Sequence, residues 1–339
     1  MGILDWLFGS NDEATGSTVD PAVIEQRIEQ VVSMVDPRLK FVSGYQQKLT
    51  KPVVQAILYC RELEGKIPAA LDMSAAAWSH DPILRALFAT AHDIPAVFSR
   101  SPEVQDYFEQ SPGAETVWAT LRFRHQEEKR FGVEVHGEVV QHDVPQTSVS
   151  FVEKKVLLPC ACEHDARIEI RRRAFKFLVT QALEQIASAN TRRKDLIEQR
   201  TMLQARLSIL KGQRTGLEAM LDGGDGAIER IDEVERKLAD YEGALAEFPG
   251  AAETLDYVMK RVRSVLTRAS EYLQVTPIKL RLDQMNIVVP EATNPAGIEI
   301  VLPEVTAKHA RANMLVGRFP RAELICRGSL IDAAQRMLG

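Results

Sequence analysis

Residues 175–221 read FKFLVTQALEQIASANTRRKDLIEQRTMLQARLSILKGQRTGLEAML and repeat their apolar positions in alternating steps of four and three. The register runs Phe175, Val179, Ala182, Ile186, Ala189, Arg193, Leu196, Arg200, Leu203, Leu207, Leu210, Arg214, Leu217 and Leu221. After Asp222-Gly223-Gly224-Asp225-Gly226 it resumes as Ile231, Val234, Leu238, Tyr241, Leu245, Phe248, Ala252, Leu255, Met259, Val262, Leu266, Ala269 and Leu273. A mean repeat of about 3.5 residues keeps one seam of a helix against a partner helix. The spacing predicts a long antiparallel coiled-coil hairpin over 166–274, with its tip near 222–226. Its two arms match in length, so positions whose numbers sum to about 448 should face each other. An arm of about 47 residues would extend ~70 Å.

Charge agrees with this pairing. The first arm is basic, with Arg171, Arg172, Arg173, Lys176, Arg192, Arg193, Lys194, Arg200 and Arg206. The returning arm is acidic, with Glu229, Asp232, Glu233, Glu235, Asp240, Glu242, Glu247, Glu253 and Asp256. Opposite flanking charges choose partner and orientation in coiled coils, and the register places Arg214 near Glu235 and Arg193 near Asp256. Phe248-Pro249-Gly250 interrupts the second arm, because a proline inside a helix costs about 3 kcal/mol. The expected outcome there is a kink or short loop; a full turn would give a three-helix bundle instead.

Outward from the arms the pattern changes. Residues 1–19 are an apolar peptide followed by a linker, Gly9-Ser10-Asn11-Asp12-Glu13-Ala14-Thr15-Gly16-Ser17-Thr18. Residues 20–130 read as a helical domain of about five helices. Asp20-Pro21, Asp36-Pro37, Asp81-Pro82 and Ser101-Pro102 are start signals, with an N-cap residue and then proline at the first helical position. The last helix of this domain is expected at 114–129. From Gly132 the period shortens to two, with Val133, Val135 and Val139 against Glu134, His136 and Glu138, and 148–158 is again strand-like. Further strands are expected at 278–282, 287–289, 298–302 and 314–316, and a closing helix at 329–338. Neither half holds enough strands for a stable sheet. The fold class expected is therefore mainly α with a small β-domain (α+β). Residues 131–165 and 275–339 form one split antiparallel β-domain, and the coiled-coil hairpin is inserted between its halves.

Composition bounds the function. The chain has 339 residues, of which 45% are hydrophobic, 26% charged and 6% aromatic, enough apolar material for a core. Its net charge of -5 argues against attraction of the whole molecule to nucleic acid or anionic lipid. No stretch approaches the ~18–20 apolar residues of a spanning helix. The opening residues lack the basic region of a secretory signal, and four scattered cysteines make no disulfide framework. Cytoplasmic residence is expected, either free or peripheral to the inner face of a membrane.

Few residues carry chemistry. Ile3, Leu4, Trp6, Leu7 and Phe8 form an apolar peptide on a polar tether, which must dock in its own helical domain, on a protein partner or at a membrane surface. Cys160, Cys162 and His164 are metal-type ligands two apart, and an extended segment would turn all three to one side. Zinc favours such donors, but structural sites space paired cysteines more widely and need four ligands. Arg318-Phe319-Pro320-Arg321 reads either as a recognition corner or as a turn. No phosphate-binding glycine loop, His-Glu-x-x-His or Gly-x-Ser-x-Gly elbow occurs.

The expectation is a non-enzymatic scaffold or adaptor without a cofactor. It would dock a protein partner, itself or a membrane surface through its N-terminal region. The first alternative is nucleic-acid association through the basic arm with Arg261, Arg263 and Arg268. The second is a metal-dependent module at Cys160, Cys162 and His164.

Overall fold

The structure, a computed structural model, describes residues 19–136, 139–215, 225–246, 254–289, 297–308 and 310–325. The N-terminal peptide, the hairpin tip at 222–224, Leu217, Phe248-Pro249-Gly250 and the helix expected at 329–338 lie outside these residues. Among the described residues the fold combines helices with one sheet, as an α+β chain. Chain packing separates it into one unit of residues 1–56 and 177–268, and another of 57–176 and 269–339. The divisions fall inside two continuous helices, α2 (Tyr45–Gly65) and α6 (Glu163–Thr215).

The first unit is helical. Its α1 (Pro21–Val35) begins where expected: the Asp20 side chain accepts from Ala22 N at 2.9 Å and Pro21 occupies the first turn. Asp36 likewise opens a 3-10 turn, Pro37–Phe41, by accepting from Arg38 N. Gly44, at φ 66°, separates that turn from α2, so the single helix expected after Asp36-Pro37 is two elements. Ile28, Val31, Val32, Leu39, Leu49 and Val53 are buried here. So are Leu178, Val179, Ala182 and Ile186 of α6, and Val258, Met259, Val262, Val265 and Leu266 of α8 (Thr254–Thr267). Between α6 and α8 in sequence comes α7 (Asp225–Ala246).

The second unit is built on strands. β2 (Thr116–His136) and β3 (Val139–Cys160) form a long antiparallel hairpin. β4 (Leu273–Leu282), β5 (Ile298–Ala307) and β6 (Ala310–Pro320) complete the order β3-β2-β6-β5-β4, and the two-residue β1 (Leu71–Asp72) pairs with β6 in parallel. The helix expected at 114–129 is therefore a strand. Val117, Ala119, Leu121 and Phe123 alternate along it and are all fully buried, and pairing with β3 and β6 overrides the helix preference of the Gln126-Glu127-Glu128-Lys129 run. Strand β4 also takes Leu273 out of the heptad series, since α8 ends at Thr267.

Residues 286–289 join the two ends of this order. Val149 N donates to Asn286 O and Val288 N to Thr147 O, both at 2.8 Å. Asp283 N donates to Ile287 O and Val289 N to Arg281 O, both at 3.0 Å. The sheet thus closes through a short bridging segment, leaving no open edge along that stretch. Its interior holds Leu121, Phe123, Phe151, Leu282, Leu302 and Leu315. Against them pack α3 (Pro82–Leu87), α4 (Asp93–Ser99) and α5 (Pro102–Gln110), with the Phe98 and Phe319 rings stacked at 4.6 Å. A smaller cluster of Ile67, Ala166, Ile170 and Val316, with Trp118 against it, backs the sheet where α6 begins. Arg167 fixes that first turn: it donates to Glu64 at 2.6 Å, Glu163 at 2.8 Å and Pro68 O at 2.8 Å.

Candidate functional site

The seam residues are spread along α6 and α7, and burial follows their spacing. Between residues 187 and 209 only Ala189, Arg193, Leu196, Ile197, Arg200, Leu203 and Leu207 escape full exposure. All but Ile197 are positions of the four-three register. Between Ile231 and Ala246 of α7 the sheltered residues are Ile231, Val234, Leu238, Tyr241, Ala244 and Leu245, the same spacing again apart from Ala244. Leu210, Ile231 and Val234 form one buried cluster, with Leu203 and Leu207 packed against it. Lys211 and Glu235 pair across it at 2.8 Å. The acid is the one expected opposite Arg214; its partner is a basic residue about one turn earlier. Val179, Ile186, Val262 and Leu266 are buried elsewhere in the same unit, and Leu255 is half-buried.

Some exposed residues on α6 carry a different chemistry. Met202 and Ile209 are 67% and 63% exposed, and a seven-residue step sets them on one face. Helix α8 exposes Lys260, Arg261 and Arg263, and Arg268 is exposed just past its end. Arg261 lies over the Tyr257 ring, its guanidinium 5.3 Å from the ring centroid, and Arg268 donates to Ser264 Oγ at 2.5 Å.

The cysteine group takes a form other than the extended segment expected. Strand β3 ends at Cys160 and α6 begins at Glu163, so His164 already lies on a helix and the two-residue alternation breaks between them. Cys160 is half-buried and its Sγ donates to Leu158 O at 3.5 Å, while Cys162 and His164 are exposed. Burial, then the nearby Glu169 and Asp165 carboxylates, push the Cys160 thiol up to about 11. A thiol so disposed resists becoming the thiolate that a metal needs. Among the described residues no group of three His, Cys, Asp or Glu is arranged to hold a metal ion.

The Arg318–Arg321 corner is structural. Phe319 is fully buried, and Arg318 pairs with Asp72 at 3.3 Å. Arg321 donates to Pro112 O at 2.7 Å and Ser111 O at 3.1 Å, with its guanidinium over the Phe108 ring. It therefore secures the loop after α5. Sequence reading also passed over a cavity in the β unit, because its walls come from α3, β2, β3, β5 and the turn after β4, segments far apart in the chain.

Among the described residues no helix is long and apolar enough to cross a membrane. No family model, curated protein or solved structure matches this chain.

Proposed function

We propose that the protein is a non-enzymatic adaptor whose α6 and α7 zip into an antiparallel coiled-coil arm that docks a protein partner. The observation that carries this reading is the agreement between heptad position and burial along both helices. A helix with no partner would bury no stripe, and one inside a globular core would bury a broader face. Here a narrow seam of Leu and Ile is sheltered while charged residues flank it, the arrangement in which apolar contact stabilises and charge selects register.

The exposed Met202 and Ile209 supply what the seam cannot: an apolar stripe left for a partner helix or groove, since methionine and branched side chains adapt to protein surfaces. The N-terminal peptide with Ile3, Leu4, Trp6, Leu7 and Phe8, outside the described residues, is the second docking element in this reading.

Cross-linking in intact cells of the native host tests the role. The expected result is a defined set of links from the arm to one partner protein, lost in Met202→Glu/Ile209→Glu and weakened on deletion of residues 1–8. Unchanged links in both variants, or none from the arm, would defeat the docking role. The basic group of Lys260 and Arg263 on α8 with Arg268 just past its end favours nucleic-acid association as a second reading. It requires steeply salt-dependent binding of DNA or RNA; a flat response at low salt removes it.

A further inference from the structure

The cavity in the β unit encloses about 890 Å³, at the upper end of the ~300–1,000 Å³ range of small-molecule sites, which favour the mouths of barrels. Phe151, Leu282, Ile300, Trp78, Ala86 and Met285 are among the residues that line it. Among the charged residues of this mixed lining, Lys154 is half-buried, its ammonium 5.7 Å from the centroid of the Phe88 ring and donating to Phe151 O.

The backbone is arranged to put it there. Val149 and Phe151 point inward on β3, so simple alternation would send residue 153 inward and residue 154 out to solvent. Pairing instead shifts between Arg122↔Lys155 and Arg124↔Val152, so that two residues of β3 oppose Phe123 alone. Glu153 takes φ 53°, a left-handed conformation that costs a non-glycine residue free energy. Such a bulge re-aims side chains. Glu153 is turned out to meet Arg122 and Arg124, and Lys154 is turned in.

The acids in the lining are already engaged. Glu128 pairs with Arg130 at 2.5 Å. Asp283 accepts from Met285 N and Ile287 N, both at 2.8 Å. Trp78 Nε1 is bound to Phe88 O and Asn286 Nδ2 to Ala86 O, both at 2.9 Å. Among the described residues, neither Lys154 nor the rim residue Arg85 has a carboxylate within ion-pair distance. Desolvation lowers the pKa of Lys154, the direction expected of a cation lacking a close counter-ion, though Asp93 acts weakly the other way.

We propose that this cavity binds a small carboxylate with an apolar body, its charged end on Lys154 with Arg85 at the rim and its body against Phe151, Leu282 and Ile300. An apolar tail alone would leave the ammonium desolvated and unpaired, and a fully polar anion would leave the aromatic and aliphatic walls wet.

Titrating the full chain with sodium octanoate and, separately, octan-1-ol tests this by calorimetry or ligand-observed NMR. Octanoate should bind at least about tenfold tighter than the alcohol, the size of one charge-assisted contact. Lys154→Met should remove that preference while leaving the alcohol within about twofold, and Arg85→Ala should weaken octanoate about two- to threefold. No octanoate binding at millimolar concentration, equal affinity for acid and alcohol, or an unaltered preference in Lys154→Met would overturn the site. Should Lys154→Met fail to fold, the acid-over-alcohol ratio of the unmodified chain and the Arg85→Ala effect decide it.

Discussion

The small α6–α7 contact and the sheet-built unit hold themselves together by different means. In the β unit, Phe98, Phe108, Phe123 and Phe319 are sealed from water within one continuous core, and each strand depends on others far away in sequence. Between α6 and α7, Leu203 and Leu207 stay partly wet, and the buried cluster they pack against is Leu210, Ile231 and Val234. A core of the first kind resists change until it fails cooperatively. A seam of the second kind tolerates single losses and opens locally.

The largest test of that contrast is Phe98→Ala. Removing a ring stacked on Phe319 should cost about 3–5 kcal/mol and lower the main denaturation midpoint of the β unit, with amide exchange along α7 unchanged. A similar loss of protection in α7 would break the distinction. Next is the chemistry at the end of β3. With its thiol pushed up to about 11 from an ordinary value near 9.0, Cys160 should hold about a hundredfold less thiolate than an ordinary cysteine at pH 8. Iodoacetamide should label exposed Cys162 first, with Cys160 following only in strongly alkaline solution; equal rates at pH 8 would refute its burial. The sign for stability follows. The folded state keeps a proton that the unfolded state gives up, so this contribution is intact below pH ~9 and declines as pH rises toward about 11.

Arg167→Met should destabilise the β unit by about 1–3 kcal/mol, because Glu64, Glu163 and the Pro68 carbonyl all lose a partly buried donor. Urea denaturation reads this directly, and a change within error would show that the α6 first turn is held by packing alone. On α6, Leu207→Asp should raise hydrogen exchange in α7 by roughly tenfold without moving the main transition. Smallest of all is the Lys211–Glu235 pair, more than half and nearly half exposed at its two side chains. A double-mutant cycle should give under about 1 kcal/mol, falling with salt.

The same contrast explains what could be read from the chain alone. Heptad periodicity is a local signal, so the spacing at which Leu196, Leu203, Leu207, Val234 and Leu238 are sheltered could be read without knowing the fold. The aspartate-proline starts of α1 and α3 were equally local, since each aspartate bonds backbone amides two or three residues on. Strand β2 was misread because the helix-forming Glu127-Glu128-Lys129 run follows the alternating Val117, Ala119, Leu121 and Phe123, and only β3 and β6 decide between the two. The β5 and β6 strands were placed but shortened, since Pro303 in β5 and Gly317 in β6 read locally as strand breakers. Ile287-Val288-Val289 looked like a strand and is the bridging stretch that closes the sheet. Nothing local announces the inward turn of Lys154. Its bulge exists only in the pairing of β3 with β2, so the cavity it serves is a property of the assembled sheet.

Pairing of the two helices along their seam is the claim on which the functional reading stands. It is tested most directly by oxidative cross-linking of Leu196→Cys/Leu245→Cys in the full chain, with the linked peptides identified by mass spectrometry. An antiparallel register with Leu210 facing Ile231, both in one buried cluster, would bring these two positions face to face, and on this account a 196–245 disulfide should form readily under mild oxidant. Persistent failure to form it, with Leu207→Cys/Val234→Cys equally unlinked, would contradict the arm.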